Sequence, residues 1–300
     1  MLENLIRGGV YVGTVRAKDA LADCPSEGFR KAGVKQGESQ EGSPQMPMTQ
    51  LWLRLKNRYR EARSSLWQRR PHEMNNMRPI ISFTFDDVPK SSCTRGAKIL
   101  EGFGIRATYY LSMSLMGNAY SIGAAFSRID LDHLIDAGHE IGSHTFGHLD
   151  AWNTEADLFE ASIHENQRKL NDIHPGKVFK NFSYPINTPH PRIKKKAGAL
   201  HVSCRGGGQS YNSKTMDLNL LKAHFLDSRN IGDIGGIKKL IDISCERKGW
   251  LIFCTHDIDE NPSPYGFPAR QFEDLVRYAH GSGAVIVPVD EACVLLGSVS

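Results

Sequence analysis

Cysteine is scarce and scattered: six occur in 300 residues (Cys24, Cys93, Cys204, Cys245, Cys254 and Cys293), with no CxxC pair and no metal-type spacing. A disulfide framework and a cysteine-built metal site are thereby excluded. Long apolar runs are missing too. The longest charge-free stretch, Ala107 to Ser127, is interrupted by Thr108, Ser112, Ser114, Gly117, Asn118, Ser121 and Gly123, so it reads as a strand and a loop rather than a membrane span. A mean hydropathy of -0.38 excludes a polytopic membrane protein. The N-terminus has no apolar stretch of signal-peptide length, which with the scattered cysteines predicts a reduced, cytoplasmic compartment. What is present, 40% apolar and 23% charged residues, excludes disorder as the main state and suffices for one large or two ordinary cores.

The net charge of +4 is unevenly spread, with 14 Lys/Arg against 8 Asp/Glu in residues 1–78 and 23 against 25 in residues 79–300. Residues 1–50 mix Gly, Ser, Gln, Lys and Glu without period and are expected to be a disordered extension. Residues 51–73 differ. Leu51, Leu55, Tyr59, Ala62 and Leu66 recur at helical spacing among Arg54, Lys56, Arg58, Arg60, Arg63, Arg69 and Arg70, which predicts a basic amphipathic helix and linker. Such a helix suits an anionic membrane surface or nucleic acid. It equally suits a solvated helix lying on the domain, or upstream sequence read in frame before a start at Met74 or Met77.

From Pro79 the chain alternates strand-like and helix-like segments, the pattern of a parallel α/β architecture. The candidate strands are Ile80 to Phe85, Ala107 to Leu111, Glu140 to Ser143, Asn181 to Tyr184, His201 to Cys204, Leu221 to Phe225, Leu251 to Thr255 and Val285 to Val289. Helical patterns lie between most of them, including one that begins at Thr154. Reactive groups in such folds gather at the C-terminal ends of the strands.

Three strand ends carry chemistry. The first closes on Asp86-Asp87, where neighbouring acids on an extended segment point apart, so that one can bind a metal while the other faces a substrate; a turn before Val88-Pro89 is the plain alternative. The third leads into His144 and His148, whose i, i+4 spacing on a helical turn would put both rings on one side, as a shared metal requires. The seventh runs into His256-Asp257, an imidazole that titrates near neutral pH at the same mouth.

Phe83-Thr84-Phe85-Asp86-Asp87, His144-Thr145-Phe146-Gly147-His148 and Leu251-Ile252-Phe253-Cys254-Thr255-His256-Asp257, in this order, resemble motifs one, two and five of the polysaccharide deacetylases of the NodB-homology type, carbohydrate esterase family four. The resemblance covers about residues 79–296. It implies a distorted seven-stranded (β/α) barrel that removes acyl groups from sugars with a divalent metal, zinc in the first instance. It further implies Asp86 as general base, Asp87, His144 and His148 as metal ligands, and His256 as general acid.

Two motifs depart from that pattern. Where the family commonly has Arg-Pro-Pro-Tyr, this chain has Ser183-Tyr184-Pro185-Ile186, which keeps the proline and puts the Ile186 NH where an oxyanion donor is expected. The arginine that orients the base is missing, and Arg205, at the end of strand five, is the expected substitute. The motif-four acid has no counterpart; Ser203-Cys204-Arg205 is followed by Gly206-Gly207-Gly208, which reads as a loop. Tyr184, Pro185, Ile186, Arg205 and Asp257 are thus the expected oxyanion and substrate residues. The expected partners are an N-acylated sugar or glycan and a peripheral membrane contact through the basic helix, with no nucleic acid. A deformylase or cyclic-amide hydrolase on the same scaffold, or a non-catalytic homologue, are the alternatives that the altered motifs leave open.

Overall fold

The computed structural model describes residues 48–298, so the expected disordered extension lies outside the described residues except for its last three positions, which open a helix. That helix, α1 (Met48–Leu66), covers the expected basic amphipathic segment as far as Leu66; Arg69 and Arg70 lie beyond it, and Pro71–Glu73 is a short strand.

Seven parallel strands follow: β1 (Ile80–Asp86), β2 (Thr108–Leu111), β3 (Glu140–Ser143), β4 (Asn181–Ser183), β5 (Ser203–Gly208), β6 (Leu221–Phe225) and β7 (Trp250–Thr255). Each pairs with the next, and β7 pairs with β1 from Trp250↔Ile80 to Thr255↔Phe85, which closes the barrel. A short eighth strand, β8 (Val285–Ile286), pairs with Ile80 and Ile81, whereas β2 joins β1 only from Thr84 onward. Two strands therefore share one side of β1, and this is the distortion in the barrel. On the outside lie α2 (Ala97–Glu101), α3 (Arg128–Asp136), α4 (Ala156–Ile173), α5 (Pro191–Leu200), α6 (Ile234–Glu246), α7 (Ala269–Gly281) and α8 (Val289–Leu295).

Strand alternation sorts the side chains. Ile81, Phe83 and Phe85 join the outer core with Leu100 of α2 and Phe272, Leu275 and Val276 of α7. Ile80 packs inside with Trp250, Ile252 and Cys254, and Trp250 Nε1 donates to Ser82 Oγ. The inside is unusually polar. Glu140 accepts from Thr108 Oγ1, Asn181 Nδ2 and the Asp290 NH, which laces β2, β3, β4 and α8 together at the barrel floor. Gly142 is needed on this inner surface because a Cβ there would stand 2.5 Å from the Tyr110 ring.

Three local expectations are corrected. The segment Val285 to Val289 is strand only to Ile286; Pro288 caps α8, whose first turn holds Asp290 and Glu291. The fourth helix is capped at Glu155 rather than Thr154, and no side chain bonds its end. Gly206 to Gly208 belong to β5, because a Cβ on Gly206 would stand 2.6 Å from the Asn187 carbonyl, so glycine lets the loop after β4 cross the strand.

Residues 64–74 are tied to the barrel. The Lys194 ammonium, fully buried on α5, donates to the carbonyls of Ser64 and Trp67 and to Asp217 Oδ2. Arg70 donates to the His201 and Val202 carbonyls, and Pro71–Glu73 pairs antiparallel with Thr215–Asp217. A chain beginning at Met74 strips two acceptors from a buried ammonium, at about 1.5–3 kcal/mol each. Its melting temperature is expected to fall by several degrees, while kcat/KM on a soluble substrate stays within a few-fold. An unchanged melting curve would show that the arm does not brace the barrel.

Candidate metal centre and active site

The mouth is built on strained backbone. Asp87 (φ 56°), Val88 (φ 51°), Thr145 (φ 60°), His148 (φ 51°), Ile186 (φ 61°) and Asn187 (φ 64°) all take left-handed conformations, and all lie in the loops after β1, β3 and β4. Each non-glycine residue there costs on the order of 1–2 kcal/mol, which is tolerated where side chains must be aimed at a site. The turn at Asp87 separates the two acids. Asp86 stays on the inner face of β1, while Asp87 Oδ1 lies 3.8 Å from His144 Nε2 and 3.6 Å from His148 Nε2.

The two imidazoles meet by a different route from the one their spacing suggests. Residues 144–148 form no helical turn; the left-handed Thr145 and His148 fold the loop back, and the rings lie 5.1 Å apart. His144 is fixed by its NH on the Leu111 carbonyl and by Nδ1, 2.8 Å from the Ser183 carbonyl. Nδ1 therefore carries the proton and Nε2 presents its lone pair. Burial holds the His144 pKa down to about 4, against the pull of Asp86 and Asp87, so the ring is neutral.

Asp87, His144 and His148 bring three donor atoms within 4.8 Å of one another. Donors around a tetrahedral zinc at ~2.0–2.1 Å lie ~3.4 Å apart, close to the two distances seen here. Asp87 Oδ1 is buried without any hydrogen-bond donor, although buried carboxylate oxygens are normally satisfied. These residues fit a divalent cation: a neutral imidazole, a second imidazole and an orphaned carboxylate oxygen facing one point.

Asp86 sits in a separate clamp. Arg205 Nη2 donates to both Asp86 oxygens and to Ser183 Oγ, Ser183 Oγ lies 3.3 Å from Asp86 Oδ1, and Cys254 Sγ lies 3.4 Å from Asp86 Oδ2. Ser183 and Arg205 are register partners across β4 and β5, which puts the Arg beside the position where the resemblance leads one to expect arginine. The guanidinium is fully buried between the rings of Tyr110 (5.3 Å) and Phe225 (5.5 Å). Burial alone would raise the Asp86 pKa; the Arg205 charge, helped by His144 and His256, overrides it and holds the carboxyl far below the usual carboxylate range.

His256 follows β7 and faces Asp87, with Nε2 4.0 Å from Asp87 Oδ2. Its Nδ1 lies 3.2 Å from the Tyr265 carbonyl. Ile186 stands half exposed after the buried Pro185. Tyr184 departs from expectation: it is wholly buried among Phe159, Phe182 and Ile193, and its hydroxyl donates to the Asn219 carbonyl, so it belongs to the helix-facing core rather than the substrate side. Strand alternation explains this, since Ser183 points in and its neighbour must point out. The Asp257 carboxylate is taken up by the Ser263 NH (2.7 Å) and Oγ (2.5 Å). It holds the loop that borders a cavity of about 300 Å³ beside Pro89, Lys90 and Asn261. Cys254, absent from the expected set, reaches Asp86 because it lies two residues before His256 on the same inward row.

The closed parallel barrel is a fold shared with known proteins. The fold is that of the Xyl-CE4 domain of a multidomain xylanase from the hindgut metagenome of Trinervitermes trinervoides (TM-score 0.51, 19% identity, 73% of this chain and 92% of that one). It is equally that of a family 4 acetyl xylan esterase from Clostridium thermocellum in complex with cobalt (TM-score 0.51, 19% identity, 73% and 92%). A chitin deacetylase from Pestalotiopsis sp is 32% identical over 93 residues, which span 31% of this chain and 30% of that relative. Residues 73–203 match the polysaccharide deacetylase family.

Among the described residues no helix is long and apolar enough to cross a membrane.

Proposed function

We propose that the protein is a metal-dependent hydrolase that removes an N-acyl group, N-acetyl in the first instance, from a sugar or glycoconjugate. The observation that carries this reading is the pairing of an unsatisfied Asp87-His144-His148 donor set with a separately clamped carboxylate, Asp86, at one barrel mouth. Two nitrogens and one oxygen suit zinc, and also iron, cobalt or nickel. A divalent cation held by these three residues supplies Lewis-acid polarisation and lowers the pKa of water.

The chain's own groups do the rest. Asp86, kept ionised and oriented by Arg205 and Ser183, accepts a proton from the attacking water. The Ile186 NH, aimed by the left-handed turn after Pro185, donates to the developing oxyanion. His256 acts in its doubly protonated form: Nδ1 keeps its proton on the Tyr265 carbonyl while Nε2 gives its proton to the leaving nitrogen, leaving a neutral imidazole. Metal analysis of purified protein, followed by acetate release across a panel of N-acetylated sugars, tests the reading. Bound metal with no release from any of them counts against it.

The Arg205 pairing has its own pH signature. Because that cation lowers the Asp86 pKa, Arg205→Ala is expected to move the acidic limb of kcat/KM to higher pH and to lower the rate, with metal content unchanged. The variant also leaves a buried carboxylate unpaired at a cost of about 3–5 kcal/mol, so profiles are taken well below its melting temperature. Adding Ser183→Arg is expected to restore part of the loss, since the two positions are register partners. A limb that stays in place with full activity sinks the pairing.

A further inference from the structure

Helix α1 turns two different faces to its surroundings. On the barrel side, Ser64 is buried, its carbonyl holds Lys194, and Arg60 lies over the Trp152 ring at 5.1 Å. On another side Trp52, Leu55, Tyr59 and Leu66 fall within an arc of about 60° at 100° per residue. All four are exposed, Trp52 by 69% and Leu66 by 72%, and Trp67 continues the surface. Tyr59 reaches back to the barrel, but the exposed Trp52, Leu55 and Leu66, on a helix already anchored by its other face, have no use in packing it.

The charges bordering the stripe select its occupant. By the same helical geometry Lys56 and Arg63 lie on one flank and Arg58 on the other. Residues 48–70 hold seven Lys/Arg against a single Glu, in a chain whose remainder is close to neutral. Two tryptophans, a tyrosine and leucines framed by cations are the composition of a helix lying in the interface of a bilayer with anionic headgroups, the apolar side chains entering the acyl boundary and the cations staying among phosphates.

We infer that α1 docks the protein on an anionic membrane surface. The docking is linked to the site. Tyr59 lies 6.3 Å from Trp152, which is four residues beyond His148, and Trp152 packs at 4.8 Å on His190, four residues beyond Ile186. The helix is thus braced on the two loops that carry a metal ligand and the oxyanion donor, and a bilayer under α1 lies beside the barrel mouth. Resting on the deacylase reading, this makes the substrate an N-acylated sugar carried on a membrane lipid.

The full chain is sedimented with phosphatidylcholine vesicles, alone and with phosphatidylglycerol added. Pelleting with the anionic vesicles only, weakened by salt, is the expected result. The triple variant Trp52→Ser, Leu55→Ser, Leu66→Ser is expected to bind about ten-fold or more weakly, with unchanged melting, unchanged metal content and full activity on a soluble N-acetylated sugar, while its rate on a lipid-carried sugar falls. No pelleting of the wild type, or equal pelleting of the variant, overturns the inference. So does a wild-type dimer in light scattering that the variant dissolves without loss of vesicle binding, which assigns the stripe to a second copy. Vesicle binding is read without catalysis, so failure of acetate release with binding intact removes the deacylase reading alone.

Discussion

Asp86→Asn is expected to keep its metal and lose hydrolysis by about 10²- to 10⁴-fold, the usual cost of deleting a general base. Asparagine has nearly the same shape and still offers an oxygen to Arg205 and Ser183, but it cannot take a proton from water. The geometry makes the outcome discriminating. Asp86 oxygens are engaged by Arg205, Ser183 and Cys254, whereas Asp87 Oδ1 faces the two imidazoles with no donor of its own. A variant that loses its metal would mean that the two acids have been assigned in reverse. Because the substitution leaves Arg205 buried opposite a neutral group, some stability is lost as well, and folding is checked by melting before rates are compared.

His144→Ala is expected to abolish both metal binding and hydrolysis. Removing a supporting partner of a ligand costs metal affinity ~10–100-fold, and removing the ligand itself costs more. His144 is also the imidazole held neutral by burial and oriented through Ser183, so neither His148 nor water can take its position. The measurement that separates a lost ligand from a misfolded barrel is thermal. Metal at ~100-fold above its dissociation constant stabilises a folded protein by about 2.7 kcal/mol. The wild type is expected to melt higher when metal is added and the variant to melt at one temperature with or without it. A variant whose melting point still rises with metal has kept its site, and His144 is then no ligand.

The parts of this molecule that follow from one-dimensional patterning were legible in the sequence. Phe83 and Phe85 alternate with Thr84 and Asp86, and that period alone separates the outer core from the inner row on which Asp86, Arg205 and Cys254 stand. The same period, applied to Ser183-Tyr184, would have sent Tyr184 outward. The resemblance at that motif drew attention to the residue type instead of its parity. The association of Arg205 with Asp86 was readable because both were expected at strand ends, although Arg205 proves to lie within β5; the register that sets Ser183 beside Arg205 was not readable, since strand pairing is a property of two distant segments. The His144–His148 loop was misjudged for a related reason. Spacing of four suggests a helical turn, yet the ring approach is achieved by left-handed residues that no periodicity announces. Glycines at 206–208 were taken as loop because propensity is a weak prior, and the close passage of the Asn187 carbonyl that requires them is tertiary.

The sharing of β1 has a consequence for how the chain is made. Three strands pair with it, and two of them, β7 and β8, are among the last to be translated; Trp250 follows Asp86 by 164 residues. At ~5–20 residues per second, the strand bearing the two acids waits on the order of 10 s with one apolar edge unsatisfied while the rest of the domain emerges. Ribosome-bound chains stopped before residue 250 should therefore expose the Ile80–Phe85 edge to chaperones or to one another. Closure is then a late, long-range event that sets the folding rate, and the reactive centre, which needs β1 and β7 side by side, comes into being only at that final step.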